Sequence, residues 1–234
     1  MIISVNVYNF ESIVSKHAHY LRRVHSWLAL TGAGISQASG LPLLTGDLQG
    51  LAVAELFESR LFLSNPSRYW TLYREVYRKW RLATPNAAHI ELALQGVRVV
   101  TQNVDGLHRD AGTRELVELH GNLQELHCKR CQQVFPSTLV FRNSIPQCPT
   151  CKGDLYPGVV FVGEEIQHFS VAVDWAGQCE LLLIIGTSLS AEPVRQMPEI
   201  VEKSGAIVFQ INDNAELLVP RFMASIDTQM TSRD

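Results

Sequence analysis

The sequence contains no apolar run approaching the roughly 18 residues that cross a bilayer as a helix, so a soluble protein is the expectation. Its first residues, MIISVNVYNFESIV, offer neither a basic segment ahead of an apolar run nor a small-residue cleavage site. Nothing there marks the chain for secretion, and a cytoplasmic location is the expectation. Basic runs are missing as well. The 20 Lys and Arg are scattered among 23 Asp and Glu, giving a net charge of -3, so there is no electrostatic footprint for nucleic acid or an anionic membrane. A polymer partner is therefore expected to be a protein. Internal repeats and low-complexity stretches are also absent. What remains is an ordinary globular composition, 46% hydrophobic and 18% charged. A chain of 234 residues buries a sizeable core and fits one large domain carrying a smaller insertion.

Cysteine is sparse but concentrated. Of five, four fall in two pairs, Cys128-Lys-Arg-Cys131 and Cys148-Pro-Thr-Cys151, with 16 residues between the pairs. In a reducing compartment that spacing favours a tetrahedral zinc ribbon over disulfides or unpaired thiols. Four thiolates fill the coordination shell and leave no position for a reactive water, so this zinc is structural. His127 is at best a surplus ligand. Cys179 stands alone at a helix-to-strand junction and reads as a small buried hydrophobe.

Four apolar runs read as buried strands: 27–31, 97–103, 181–186 and 206–212. Each follows a plausible helix: Glu11–Val24, Asn86–Leu94, Ser170–Ala176 and Pro193–Lys203, the last with Pro198 as a kink. Strands alternating with helices predict an α/β fold, a Rossmann-like parallel sheet covered on both faces. Two segments break the alternation. Residues 48–84 read as helical, with Asn65-Pro66-Ser67 as a helix start, and residues 124–156 hold the cysteines. These would form a smaller helical plus zinc-ribbon lobe. The Rossmann-like domain would then comprise residues 1–47, 85–123 and 157–234.

Candidate chemistry gathers where strands end. Gly32-Ala33-Gly34 directly follows a strand, as in loops that admit a pyrophosphate, but Gln37 stands where the strict fingerprint needs a third glycine. A simple tight turn is the alternative. The next strand ends in TQNVDGLH, placing Gln102, Asn103, Asp105 and His108 within reach of a ribose and a carboxamide, or else forming a loop of ordinary turn residues. His120 has the residue type suited to deprotonating a hydroxyl. Gly186-Thr187-Ser188 and Asn212 follow two further strands with small polar side chains suited to phosphate and ribose. The run VVFVGE, 159–164, reads as a short exposed strand able to accept a peptide by strand addition.

Taken in order, GAGIS with SGLP, TQNVDGLH, ELHG, the paired cysteines, VVFVGE, GTS and QIN resemble the sirtuins, the NAD-dependent protein lysine deacylases. The resemblance runs from about Leu28 to Asn212. It implies that NAD and an acyl-lysine peptide meet in a cleft between the two lobes. It implies His120 as the base that activates a ribose hydroxyl. Asn103 would contact the ribose and reacting region, Asp105 the nicotinamide amide, and Gln102 the ribose. Gly32, Ala33, Gly34 and Ile35 would line the cofactor, with Gly186, Thr187 and Ser188 at phosphate and ribose and Asn212 at the adenosine end. Val160, Phe161, Val162, Gly163 and Glu164 would flank the peptide.

Three departures stand out against that family pattern. Leu43, Leu44 and Thr45 occupy the positions of a usual Asp-Phe-Arg, so the loop loses an acid, an aromatic lid and a cation, which should weaken catalysis. Val162 replaces a common phenylalanine, which would widen the acyl tunnel. Tyr73 matches a tyrosine of sirtuins that prefer acidic acyl groups, but Val76 stands in place of their arginine, which argues against desuccinylation unless Arg74 or Arg78 compensates. The alternative readings are a mono-ADP-ribosyltransferase or NAD hydrolase on the same scaffold, and a weakly catalytic sensor that binds NAD or ADP-ribose.

Overall fold

Runs of Leu, Ile and Val with few polar interruptions are what a sheet covered on both faces demands. Leu181–Ile185 is buried at every position, and Trp27–Thr31 at all but the first. The computed structural model describes residues 2–43 and 53–227. In chain order the strands are β1 (Ile2–Ser4), β2 (Trp27–Thr31), β3 (Arg98–Thr101), β4 (Leu116–Glu118), β5 (Gly121–Cys128), β6 (Val134–Pro136), β7 (Leu155–Val159), β8 (Leu181–Ile185) and β9 (Ile207–Ile211). Six of them form a wholly parallel sheet in the order β1-β9-β8-β2-β3-β4. From β2 the chain steps outward to β3 and β4, and it later returns through β8 to β9 on the other side. The strand order thus reverses between β2 and β8, and open α/β sheets hold ligands at the carboxyl ends beside such a reversal.

That junction is closed by glycines. Gly34 N–H donates to Gly186 O at 2.8 Å, and a Cβ at Gly34 would sit 2.5 Å from Gly186 Cα. Gly186 itself has φ +61, and a Cβ there would lie 2.3 Å from Ile35 N. Backbones this close, with one of them left-handed, accept no side chain.

A second, three-stranded antiparallel sheet, β6-β5-β7, carries the cysteine segment. Against it packs the helix Pro66–Trp80. Its start is as the sequence predicts, with Asn65 Oδ1 accepting from Arg68 N–H at 3.1 Å and Pro66 in the first turn. Tyr69, Trp70, Tyr73 and Val76 are buried on one face. Phe62 joins the two elements, 5.0 Å from Tyr69 and 5.1 Å from Tyr156, ring to ring. Each such aromatic pair contributes about 0.5–1.5 kcal/mol beyond its burial. The helical and cysteine segments therefore share one apolar core.

Several boundaries differ from expectation, for local reasons. Pro198 does not kink a helix; it lies in the first turn of Met197–Lys203, where its missing N–H costs nothing. Val160–Glu164 is not a strand. β7 stops at Val159, and Glu164 N–H turns back onto Phe161 O at 3.0 Å. The short edge strands β1 and β4 and the C-terminal helix Ala215–Asp227 have no counterpart in the sequence reading. No helix among the described residues is long and apolar enough to cross a membrane.

Candidate active site

A cavity of about 410 Å³ opens at the carboxyl ends of β2 and β3. Its floor comes from the large sheet, through Ala33, Ser36, Gln102, Asn103, Asp105 and His120. The opposite wall comes from Phe57, Trp80 and the turn 160–164, whose Val162 N–H donates to Phe57 O at 2.8 Å. Residues far apart in sequence are therefore fixed around one space by the sheet reversal and the second core.

His120 precedes β5 directly. Its Nδ1 lies 2.8 Å from Gln102 O, and because a carbonyl only accepts, Nδ1 carries the proton and Nε2 holds the lone pair of the neutral ring. Burial lowers its pKa below the usual 6.5, opposed in part by that hydrogen bond. The ring is thus a neutral base at physiological pH. Asp105 is tied at both oxygens, with Leu107 N–H donating to Oδ1 at 2.9 Å and Ser36 Oγ to Oδ2 at 2.7 Å. Burial raises the pKa of its carboxyl, against the pull of those two bonds. Asn103 Nδ2 donates to Gly32 O at 3.1 Å and to Ser36 Oγ at 3.2 Å.

Not every candidate lines this cavity. Ala33, Gln102, Asn103, Asp105, His120 and the 160–164 turn do. Gly32, Gly34, Ile35, Gly186, Thr187, Ser188 and Asn212 stand outside its walls. Thr187 still reaches it indirectly, donating to Gln102 Oε1 at 2.6 Å. His108 belongs elsewhere: it is buried, its Nε2 lies 2.9 Å from Thr31 Oγ1, and it cannot meet a ribose. Val162 is 69% exposed, at the mouth rather than the depth of the cavity. Leu43 is exposed, and Leu44 and Thr45 lie outside the described residues.

Tyr73 and Val76 are likewise buried away from the cavity. Tyr73 OH donates to Leu123 O at 2.6 Å and lies 2.9 Å from Ser137 Oγ, inside the smaller lobe. Arg74 is held by Val140 O and Asn143 O, and Arg78 pairs with Glu75. The described lining includes Glu58, Asp105, Glu164 and Glu192 but no lysine or arginine. Residues 44–52 add none in sequence. Ser36 was missing from the sequence candidates, although GAGIS displays it beside the glycines. Phe57 and Trp80 had no local signal, since only the packing of the smaller lobe brings them here.

The four paired cysteines place their Sγ atoms within 4.8 Å of one another, with Cys128 to Cys151 at 3.5 Å and Cys131 to Cys148 at 3.6 Å. Zinc–sulfur bonds of about 2.3 Å give a tetrahedral edge of about 3.8 Å, so the cluster fits Zn²⁺. His127 faces Glu125 instead, at 3.4 Å.

Residues 32–193 match the Sir2 family. The chain belongs to that family. An NAD-dependent protein deacylase of Pyrococcus abyssi is 37% identical over 212 residues, covering 82% of this chain and 84% of its own. An NAD-dependent protein deacetylase of Caldivirga maquilingensis is 36% identical over 201 residues, covering 79% and 77%. Among solved structures, a Sir2 homologue complexed with 2′-O-acetyl ADP-ribose superposes with TM-score 0.83 at 26% identity, over 93% of this chain and 98% of the other. A Sir2 protein bound to a propionylated peptide gives 0.76 at 26% identity, over 90% and 97%. Within the Sir2 fold, the cavity of this chain lies where its two cores meet.

Proposed function

We propose that His120, Asn103 and Asp105 run the chemistry of an NAD-dependent protein lysine deacylase in this cavity. The observation that carries the reading is their convergence there, with His120 held in the tautomer that leaves Nε2 free as a base. NAD, when bound, would supply an anomeric carbon open to the acyl oxygen of the substrate lysine, with nicotinamide as the leaving group. Asp105 orients the carboxamide, and Asn103 holds the ribose near Gly32. His120 Nε2 takes the proton of a ribose hydroxyl, so that acyl transfer proceeds to ADP-ribose. The 160–164 turn holds the peptide along its outer edge. Val160 and Val162 have already spent their N–H groups on His120 O and Phe57 O, and Phe161 O accepts from Glu164 N–H, which leaves the carbonyls of Val160 and Val162 and Gly163 to meet it.

The protein is an enzyme that uses NAD and carries structural zinc on Cys128, Cys131, Cys148 and Cys151. In chemical terms it is a transferase, moving an acyl group from lysine to ADP-ribose. We place it in the reducing cytoplasm, where four thiols remain available to the metal. The smaller lobe is assigned to residues 48–84 and 124–156. The direct test is nicotinamide release from NAD by purified protein: release that depends on an acyl-lysine peptide supports the reading, and release indifferent to the peptide supports an NAD hydrolase.

A wall of aromatic and aliphatic groups with carboxylates at its edge selects neutral acyl chains. Without a guanidinium, a succinyl carboxylate has no bidentate partner and meets like charge. Butyryl-lysine peptide should be turned over at least about tenfold faster than succinyl-lysine peptide, one lost charge-assisted hydrogen bond being worth about 1.5–3 kcal/mol. Equal kcat/KM values for the two would refute this assignment.

A further inference from the structure

His89 lies in the helix Ala87–Leu94, fully buried one layer behind the cavity wall, and has no part in the chemistry above. Its Nε2 is 3.4 Å from Ser36 Oγ. Ser36 faces the cavity, donates to Asp105 Oδ2 at 2.7 Å and accepts from Asn103 Nδ2 at 3.2 Å. A serine hydroxyl has one proton to give and two lone pairs to fill. The Asp105 carboxylate takes the proton, so His89 must donate through Nε2–H and fill the second lone pair.

The far side of the ring enforces that tautomer. His89 Nδ1 is buried and has no hydrogen-bond partner. A proton placed there would be a buried donor without an acceptor, which costs more than a bare lone pair on an aromatic nitrogen. The ring of His108 packs against that of His89, 4.8 Å away between centroids, with an unpartnered Nδ1 of its own. Burial lowers the pKa of His89 to about 4, so the neutral ring persists through the physiological range.

We propose that His89 is a positioning residue for nicotinamide recognition. By saturating Ser36 it removes the other orientations of that hydroxyl and commits its proton to Asp105, which fixes the carboxylate that meets the carboxamide. The proposal rests on the NAD reading of the cavity. Loss of His89 acts at the nicotinamide end of the ligand, because it frees the Ser36 proton that Asp105 accepts, whereas Asn103, which meets the ribose that ADP-ribose shares, keeps Gly32 O as an anchor.

The test compares the dissociation constants of NAD and ADP-ribose on zinc-loaded protein by calorimetry. His89→Phe keeps a buried ring and removes the N–H; it should weaken NAD about tenfold, the size of one hydrogen bond of about 1.4 kcal/mol, and leave ADP-ribose unchanged. His89→Gln keeps an amide donor and should recover NAD binding to within about threefold of wild type. In a Ser36→Ala background, His89→Phe should cost nothing further. Equal weakening of both ligands, or a loss that adds to Ser36→Ala, would overturn the proposal and make His89 a packing residue. Wild-type protein that binds neither ligand would overturn the NAD reading itself. Should His89→Phe fail to fold, His89→Met, which also lacks the N–H, takes its place in both the single and the Ser36→Ala comparisons, with the same expected outcomes.

Discussion

His120→Ala is expected to lower kcat/KM for acyl-peptide turnover by about 10²–10⁴-fold, the range a positioned general base contributes. Affinity for NAD should change little, because Asp105, Asn103 and Ser36 keep their mutual hydrogen bonds without the imidazole. The wild-type pH profile gives an independent reading of the same group. His120 works only when neutral, so activity is lost as pH falls through its pKa and is full above it. Burial sets that pKa below 6.5, so the acid limb of kcat/KM should have its midpoint under 6.5 and should disappear in the residual activity of His120→Ala. Steady-state kinetics with direct NAD titration check both. A variant retaining more than about a tenth of wild-type turnover would remove His120 from the role of base.

Removing zinc should have the larger effect on the molecule as a whole. Cys128 and Cys148 are buried, and of the apolar residues between them only Leu139, Val140 and Pro146 are buried. The metal is what closes that segment, and structural zinc contributes about 10–16 kcal/mol in small modules at neutral pH. Cys128 also ends β5, the strand that begins at Gly121 beside His120. Disorder at the metal therefore reaches the active site along one strand. Chelation, or Cys148→Ala, should cost at least about 10 °C in Tm, each 1 kcal/mol being worth about 2–4 °C in a chain of this size, and should abolish turnover. Calorimetry beside zinc quantitation, with one zinc per chain expected, makes the comparison. Zinc-free protein with unchanged Tm and activity would show that the cysteine segment folds by itself.

The large sheet was legible because its strands are buried on both faces. A run such as Leu181–Ile185 has no other plausible home, and a glycine pair after β2 marks the reversal. The zinc cluster was legible for a different reason, since ligand spacing is itself the geometry. The antiparallel sheet β6-β5-β7 left no such trace. β6 spans three residues and the pairing of β5 with β7 shifts register between Gly121 and Leu126, so no regular alternation runs along the sheet. Pro198 misled because proline disrupts a helix interior but suits its first turn, and sequence alone does not fix which turn it occupies.

At the site, local motifs picked out His120, Asn103 and Asp105, which line one cavity, but not the wall they face. Tyr73 sits at the position expected for an acyl-binding tyrosine, yet Leu123 O and Ser137 draw its hydroxyl into the smaller lobe. His108 looked like a ligand group and turned out to back the sheet through Thr31. In both cases tertiary hydrogen bonds decide which way a side chain points. Phe57 and Trp80 reach the cavity only because the aromatic core brings their elements together.

The most direct measurement is mass spectrometry of the small molecules formed when zinc-loaded protein meets NAD with and without acetyl-, butyryl- and myristoyl-lysine peptides. The account predicts O-acyl-ADP-ribose whose mass tracks the acyl group, formed only with peptide and absent with His120→Ala. Free ADP-ribose formed without peptide, or bound NAD with no nicotinamide released, would contradict it.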